Sequence, residues 1–167
     1  MSSRVVTNFM KQQGFAEEPI DDLRAHFDGL TFQPRIVFPS VLLAILLQSP
    51  WLHLVISAVL WWNTLVPALN PFELAYSRWI ARPRSRAPLV PAPGPRRMAQ
   101  GMAAAFNLAA GLGLLYGQTA FAWVMEAFLV VAFSALLFGR FCLGAYVFHL
   151  LKGRAVFANS TLPWSKG

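Results

Sequence analysis

Cysteine is almost absent from this sequence, charge is scarce, and acidic residues are scarcer still. Cys142 is the only thiol, so neither an internal disulfide framework nor a four-cysteine zinc site is available. Charged residues make up 13% of the 167 positions against 56% apolar ones, too little polar surface to coat a soluble domain of this length. The seven acidic residues face fourteen basic ones, and most of the surplus lies between apolar blocks. That placement fits anionic lipid headgroups or acidic partner segments, and argues against nucleic acid. No glycine-rich phosphate loop is present, and paired His or Cys at metal-ligand spacing are missing. No Ser-His-Asp or Cys-His set falls at one membrane depth, so the reading is of a non-enzyme with no resident metal or cofactor. The first 30 residues carry eight charges and no apolar core, which is not the pattern of a secretory signal and keeps the amino terminus in the cytoplasm.

What is present divides into three parts: a polar arm over residues 1–34, a membrane domain over 35–152 and a surface tail over 153–167. In the arm, Val5, Val6, Phe9 and Met10 followed by Gly14 predict a short helix with a glycine stop, and Pro19 opens a second one. Ile20, Leu23, Phe27 and Leu30 give that second helix one apolar stripe. The stripe belongs either to a cap on the protein's own cytoplasmic surface or to a docking arm for another subunit, unless the lead is disordered.

Four apolar blocks follow, at 32–48, 51–69, 98–116 and 120–138, each near the roughly 20 residues that a crossing helix needs. A proline-rich loop over 70–97 separates the first pair from the second. Within it, residues 76–81 form a short interfacial helix, with Arg78 and Trp79 suited to the headgroup layer. The turns at 49–50 and 117–119 hold no Lys or Arg, whereas the loop holds Arg78, Arg82, Arg84, Arg86, Arg96 and Arg97, candidates for lipid headgroup or partner contact. The fold class expected is therefore an all-α membrane protein of four transmembrane helices in two short hairpins. The amphipathic amino-terminal arm, the loop and both termini are cytoplasmic in a bacterial inner membrane, and a short interfacial helix ends the chain. Two re-entrant hairpins are the competing arrangement. Residues 141–151 are too few to cross again, and continue the fourth helix or lie at the interface. Trp164 and Lys166 mark a second surface contact in the tail.

Inside the blocks, Glu126 is the one acid, and its depth demands a partner or a water-filled cavity. Asn107, Trp62 and Asn63 are candidate partners. His53 and His149 fall near opposite membrane faces, so a shared metal site is excluded; each could singly touch a haem or chlorophyll-type ring, with interfacial hydrogen bonding as the simpler role. Gly101, Ala105, Ala109 and Gly113 recur every four residues and predict a close helix contact. Phe121, Trp123, Phe128, Phe133 and Phe138 make the fourth block bulky, suited to lipid or pigment.

Three stretches carry a resemblance: Ser49-Pro50-Trp51, the segment 95–101 with Arg97 and Gln100, and Phe141-Cys142-Leu143-Gly144. Together they resemble the bacterial membrane family called domain of unknown function 4395, over roughly residues 33–152. The resemblance implies an integral membrane fold, and a Cys-Leu-Gly-Cys ending in many members hints at thiol redox chemistry. Here Ala145 replaces the second cysteine, so dithiol exchange within the motif is excluded. The leading function is then a non-catalytic accessory or assembly subunit of a larger inner-membrane complex, respiratory or photosynthetic, in contact with other membrane subunits and anionic lipids. The alternatives are a membrane partner of a thiol-redox system acting through Cys142, and a small transporter or channel with Glu126 in its path.

Overall fold

The computed structural model describes residues 3–15, 20–84, 89 and 91–165, with the side chains of 3 and 20–26 left out. The regular structure of the described residues is all helix, with no strand. Helix α1 (Ser3–Gln13) stops at Gly14, whose φ of +98° is a conformation that only glycine adopts without strain. Helix α2 (Ile20–Leu46) is followed by α3 (Pro50–Leu65), which Ser49 caps by accepting from Leu52 N, with Pro50 at the favoured first position. After a 3₁₀ turn at Pro67–Leu69 come α4 (Pro71–Tyr76), a π turn at Ser77–Ala81 and a further 3₁₀ turn at Arg82–Arg84. Helices α5 (Gly94–Leu115) and α6 (Thr119–Leu137) form a hairpin, and α7 (Leu143–Leu151) and α8 (Ala155–Ser160) close the chain.

Helix α5 is the axle of the bundle, packed on α3, α6 and α7. One apolar cluster, including Val37, Val41, Leu60, Ala104, Leu129 and Phe133, joins α2, α3, α5 and α6. A second, including Phe9, Met10, Phe27, Leu30 and Cys142, ties α1 to α2 and α7.

Three described helices are long and apolar enough to cross a membrane: Phe27–Leu46, Gly94–Leu115 and Thr119–Leu137. The expected second span, 51–69, stops at Leu65 because Val66 leaves helical geometry and Pro67 cannot continue the α3 ladder. Its 16 residues reach about 24 Å at ~1.5 Å per residue. The expected boundary between arm and first span is also absent, since α2 runs unbroken through Pro34 and Pro39. Pro34 has no N–H for the carbonyl of Leu30, and Arg96 Nη1 donates to that oxygen instead, at 3.3 Å. Helix α7 is separate from α6: helical geometry breaks between Phe138 and Cys142, with Arg140 at φ +52° and its guanidinium 5.1 Å over the Phe27 ring.

The stripe Gly101, Ala105, Ala109, Gly113 does not make one contact. Steps of four residues drift about 40° around a helix of ~3.6 residues per turn, so the two ends face different neighbours. Gly101 meets Thr64 and Trp61 of α3, Gly113 meets Phe121 and Ala122 of α6, and Ala105 is exposed. The buried side chains of α5 include Arg96, Gln100, Ala104, Asn107 and Ala110. The tightest approach is at Gly144, where an added Cβ would stand 2.5 Å from Ala99 Cα and 2.7 Å from Ala99 Cβ. Because the obstacle is backbone, Gly144→Ala must push α7 off α5. Thermal unfolding in mild detergent should register a loss of about 1–3 kcal/mol.

Candidate functional site: two buried polar clusters

The first cluster lies where the α2–α3 and α5–α6 turns come together. Gln48 occupies the left-handed region, with φ +43°, a conformation usually left to glycine or asparagine. Its side chain holds it there. Nε2 donates to Ile45 O at 2.8 Å and to both oxygens of Glu126, at 3.3 and 3.2 Å, while Oε1 accepts from Trp123 Nε1 at 3.0 Å. Glu126, on the buried face of α6, is 3% exposed. Its Oε1 lies 3.3 Å from Nε2 of His53, a charge contact and not an aligned hydrogen bond.

Hydrogen-bond sense assigns the protons. Asn107 Nδ2 donates to Ala103 O, so Asn107 Oδ1 faces His53 Nδ1 at 3.0 Å, and Nδ1 must carry the hydrogen because an amide oxygen only accepts. With Nδ1 on Asn107 and Nε2 against Glu126, the His53 ring bridges α5 and α6. One turn deeper, Ser57 Oγ donates to Ala104 O at 2.8 Å.

The partners of Glu126 thus differ from those anticipated. Asn107 reaches it only through His53, Trp62 Nε1 donates to Leu69 O instead, and Asn63 is fully buried without a hydrogen-bond partner among the described residues.

The second cluster lies at the opposite end, where α1, α4, α5 and α7 meet. Arg96 Nη2 is 3.2 Å from Glu73 Oε1, and both side chains are buried. Arg96 therefore does not reach headgroups: α5 starts at Gly94, which turns that residue inward. Burial pushes the Glu73 carboxyl above its ordinary range, with the Arg96 charge opposing. Gln33 Oε1 accepts from Gln100 Nε2 at 2.9 Å and from Asn70 Nδ2 at 3.2 Å, joining α2, α5 and the start of α4. Arg97 is exposed and its Nε donates to Thr64 O, a terminal carbonyl of α3, at 2.9 Å. Arg78, Trp79, Arg82 and Arg84 are exposed, and Arg86 lies outside the described residues.

Helix α1 seals this end. Gln12 Oε1 accepts from Cys142 N at 2.8 Å, and Gln12 O accepts from His149 Nε2 at 3.0 Å. The arm folds on its own chain through Phe27 and Leu30, both buried, with the Phe9 and Phe27 rings edge to face at 5.3 Å; the side chains of Ile20 and Leu23 lie outside the described residues. The two weak ring-binding candidates are both enclosed, His53 in the first cluster and His149 under Gln12 and Phe157. In the tail, Trp164 is exposed beside Phe141, and Lys166 lies outside the described residues.

Burial pushes the Cys142 thiol up, against hydrogen bonds from Ala145, Gln13 and Gly144 and the charge of Arg96. A raised thiol is held protonated by folding. Its contribution is whole at neutral pH and fades as pH rises through that raised value. Alkylation of Cys142 by N-ethylmaleimide at neutral pH should accordingly be on the order of 100-fold slower in the folded protein than after denaturation.

Both clusters except the α1 residues fall inside one family match, which spans residues 28–153. The chain belongs to the family described as Domain of unknown function (DUF4395). Members of this family are compared with the present chain over α2 to α7, so α1 and its Gln12 clasp lie beyond the shared region. Comparison with curated proteins and with solved structures finds no match. The signal for Glu126 was plain in the sequence, as a lone acid in an apolar block. Gln48 carried none beyond its place before Ser49-Pro50.

Proposed function

We propose that the protein is a non-catalytic accessory subunit of a larger bacterial inner-membrane complex, of respiratory or photosynthetic kind. The observation that carries this reading is where the buried polar groups point. Glu126 is held by Gln48 and His53, Glu73 by Arg96, and the thiol of Cys142 is sealed beneath α1. Such contacts fix helices to one another and take up Glu126, Glu73 and the backbone of Cys142. The outer surface remains apolar and aromatic, with Trp51, Trp79, Phe121 and Phe138 exposed for lipid or neighbouring subunits.

In this reading the chain crosses four times, α3 included, and the exposed Arg78, Arg82, Arg84 and Arg97 meet anionic headgroups on the cytoplasmic side. Extracellular labelling of Ser49→Cys and Gln118→Cys tests the topology: both sites should react, and protection of both would favour re-entrant hairpins. Purification in mild detergent followed by mass spectrometry tests the function. The protein should co-migrate with other membrane subunits, and migration as a small, partner-free species would sink the idea.

A second reading, a proton conduit, draws on the buried stripe from Arg96 through Gln100 to Asn107, His53 and Glu126. Leu60 and Ala104 interrupt it with apolar surface. Glu126→Gln should abolish proton flux if the conduit exists. A redox role through Cys142 is disfavoured by the burial of its thiol.

A further inference from the structure

A groove of about 460 Å³ follows one face of α5, where Arg97, Met98, Gly101, Met102 and Ala105 line it at spacings of three and four residues. Trp61 and Thr64 of α3 and Phe148 of α7 complete its walls. Helix α5 is one of the three that are long and apolar enough to cross a membrane, and Ala105 is exposed on it. The groove therefore opens sideways, toward acyl chains.

Its charge is confined to one end. Arg97 is exposed in the first turns of α5; its Nε donates to Thr64 O at 2.9 Å, and its two Nη groups have no partner among the described residues. Lys152 is also exposed, with Nζ 5.9 Å from the centre of the Phe148 ring. Phe148 reaches the start of α5, since a Cβ added to Gly94 would stand 3.2 Å from its Cζ. No described acidic residue lines the groove. Ala105 lies eight residues beyond Arg97, about 12 Å along the axis at ~1.5 Å per residue. Over that length the walls offer no free hydroxyl, because Thr64 Oγ1 donates to Leu60 O at 2.9 Å.

We infer that this groove binds one anionic phospholipid, its phosphate at Arg97 and Lys152 and one acyl chain laid along Gly101 and Ala105. The inference rests on the reading in which Arg97 faces anionic headgroups, and narrows it from a general attraction to one site with one occupant. The volume falls within the ~300–1,000 Å³ of sites that hold a ligand. A phosphate can accept from both Nη groups of Arg97, a planar fork that Thr64 O steadies through Nε. A zwitterionic headgroup would bring its ammonium to an end that holds two cations and no described acid, whereas a glycerol headgroup adds only hydroxyls. Free phosphate would use the cations and leave the apolar length uncovered. A helix from a neighbouring subunit would need an acid of its own opposite Arg97, whereas every anionic phospholipid carries its charge at that end.

The test uses the full chain, purified in mild detergent and stripped of lipid, and native mass spectrometry with added phosphatidylglycerol or phosphatidylcholine of identical acyl chains. One phosphatidylglycerol per chain should be retained, about tenfold more tightly than phosphatidylcholine. Ala105→Trp puts bulk into the apolar length from an exposed position and should weaken retention about tenfold. Arg97→Gln should reduce the preference between the lipids to about twofold, and Arg78→Gln, at an exposed arginine outside the groove, should change neither property. A preference that Arg78→Gln and Arg97→Gln lower alike, and that Ala105→Trp leaves intact, would overturn the proposal while keeping the general headgroup reading. Equal retention of the two lipids by the unaltered chain would overturn both. Retention of neither would overturn the proposal and leave the groove to a neighbouring helix. The comparison of the two lipids on the unaltered chain stands even where a variant does not fold.

Discussion

Arg96→Met is expected to cost about 3–5 kcal/mol of stability, the loss typical of leaving one half of a buried ion pair alone. Two groups lose their partner at once. Glu73 keeps its carboxyl in a buried site without the arginine 3.2 Å away, and Leu30 O, which Pro34 already deprives of a helical donor, loses the 3.3 Å bond from Nη1. The Glu73 carboxyl stands above its ordinary range even beside Arg96, because burial outweighs that charge. Removing the arginine raises it further. A carboxyl raised on folding stabilises the folded state fully only below its unfolded value, and that benefit is lost as pH rises through the folded one. The variant should therefore be closest to the parent near about pH 4 and furthest from it at neutral pH. Adding Glu73→Leu should restore much of the loss at neutral pH, since two apolar side chains leave no buried charge unmatched. Thermal unfolding in mild detergent at both pH values checks this. A pH-independent loss, or a double variant worse than Arg96→Met, would show that the pair is not what holds α4 against α5.

Local rules carried well where the chain's neighbours in sequence decide the geometry. Gly14 ends α1, Pro50 opens α3 behind Ser49, and the apolar blocks became α2, α3, α5 and α6. What failed depended on groups remote in sequence. The boundary drawn at residue 34 falls inside α2, which runs through Pro34 because Arg96, 66 residues from the carbonyl that it serves, supplies the missing donor. Arg96 read as a headgroup ligand because a run of prolines hid the start of α5 at Gly94, and four more residues of helix change which way the arginine points. Depth along α6 identified Glu126 as the residue needing a partner but could not give rotation about the helix axis, so Asn107 was brought too near and Gln48 was passed over. His53 read as a lone ring nitrogen near the membrane face; only the packing of α3 against α5 and α6 makes it the link between an amide and an acid.

Glu126→Leu against Glu126→Gln gives the second large effect, and the contrast is the informative part. Leucine removes the acceptor for Gln48 Nε2 and leaves Nε2 of His53 facing an apolar group, at about 1–3 kcal/mol for each group left unpaired. It also frees the side chain that keeps Gln48 at φ +43°, so the α2–α3 turn loses its tie to α6. Glutamine keeps an oxygen for Gln48 and offers an N–H to His53, so its loss should stay under about 1 kcal/mol, the net worth of one hydrogen bond. A double-mutant cycle with His53→Leu isolates the coupling between the two residues, which should exceed about 0.5 kcal/mol because they are in contact. If the leucine variant instead unfolds at the temperature of the glutamine variant, the carboxyl is not a fastening between helices. Its burial would then need another cause, and the conduit through Asn107, His53 and Glu126 would become the better account of why an acid sits in an apolar helix.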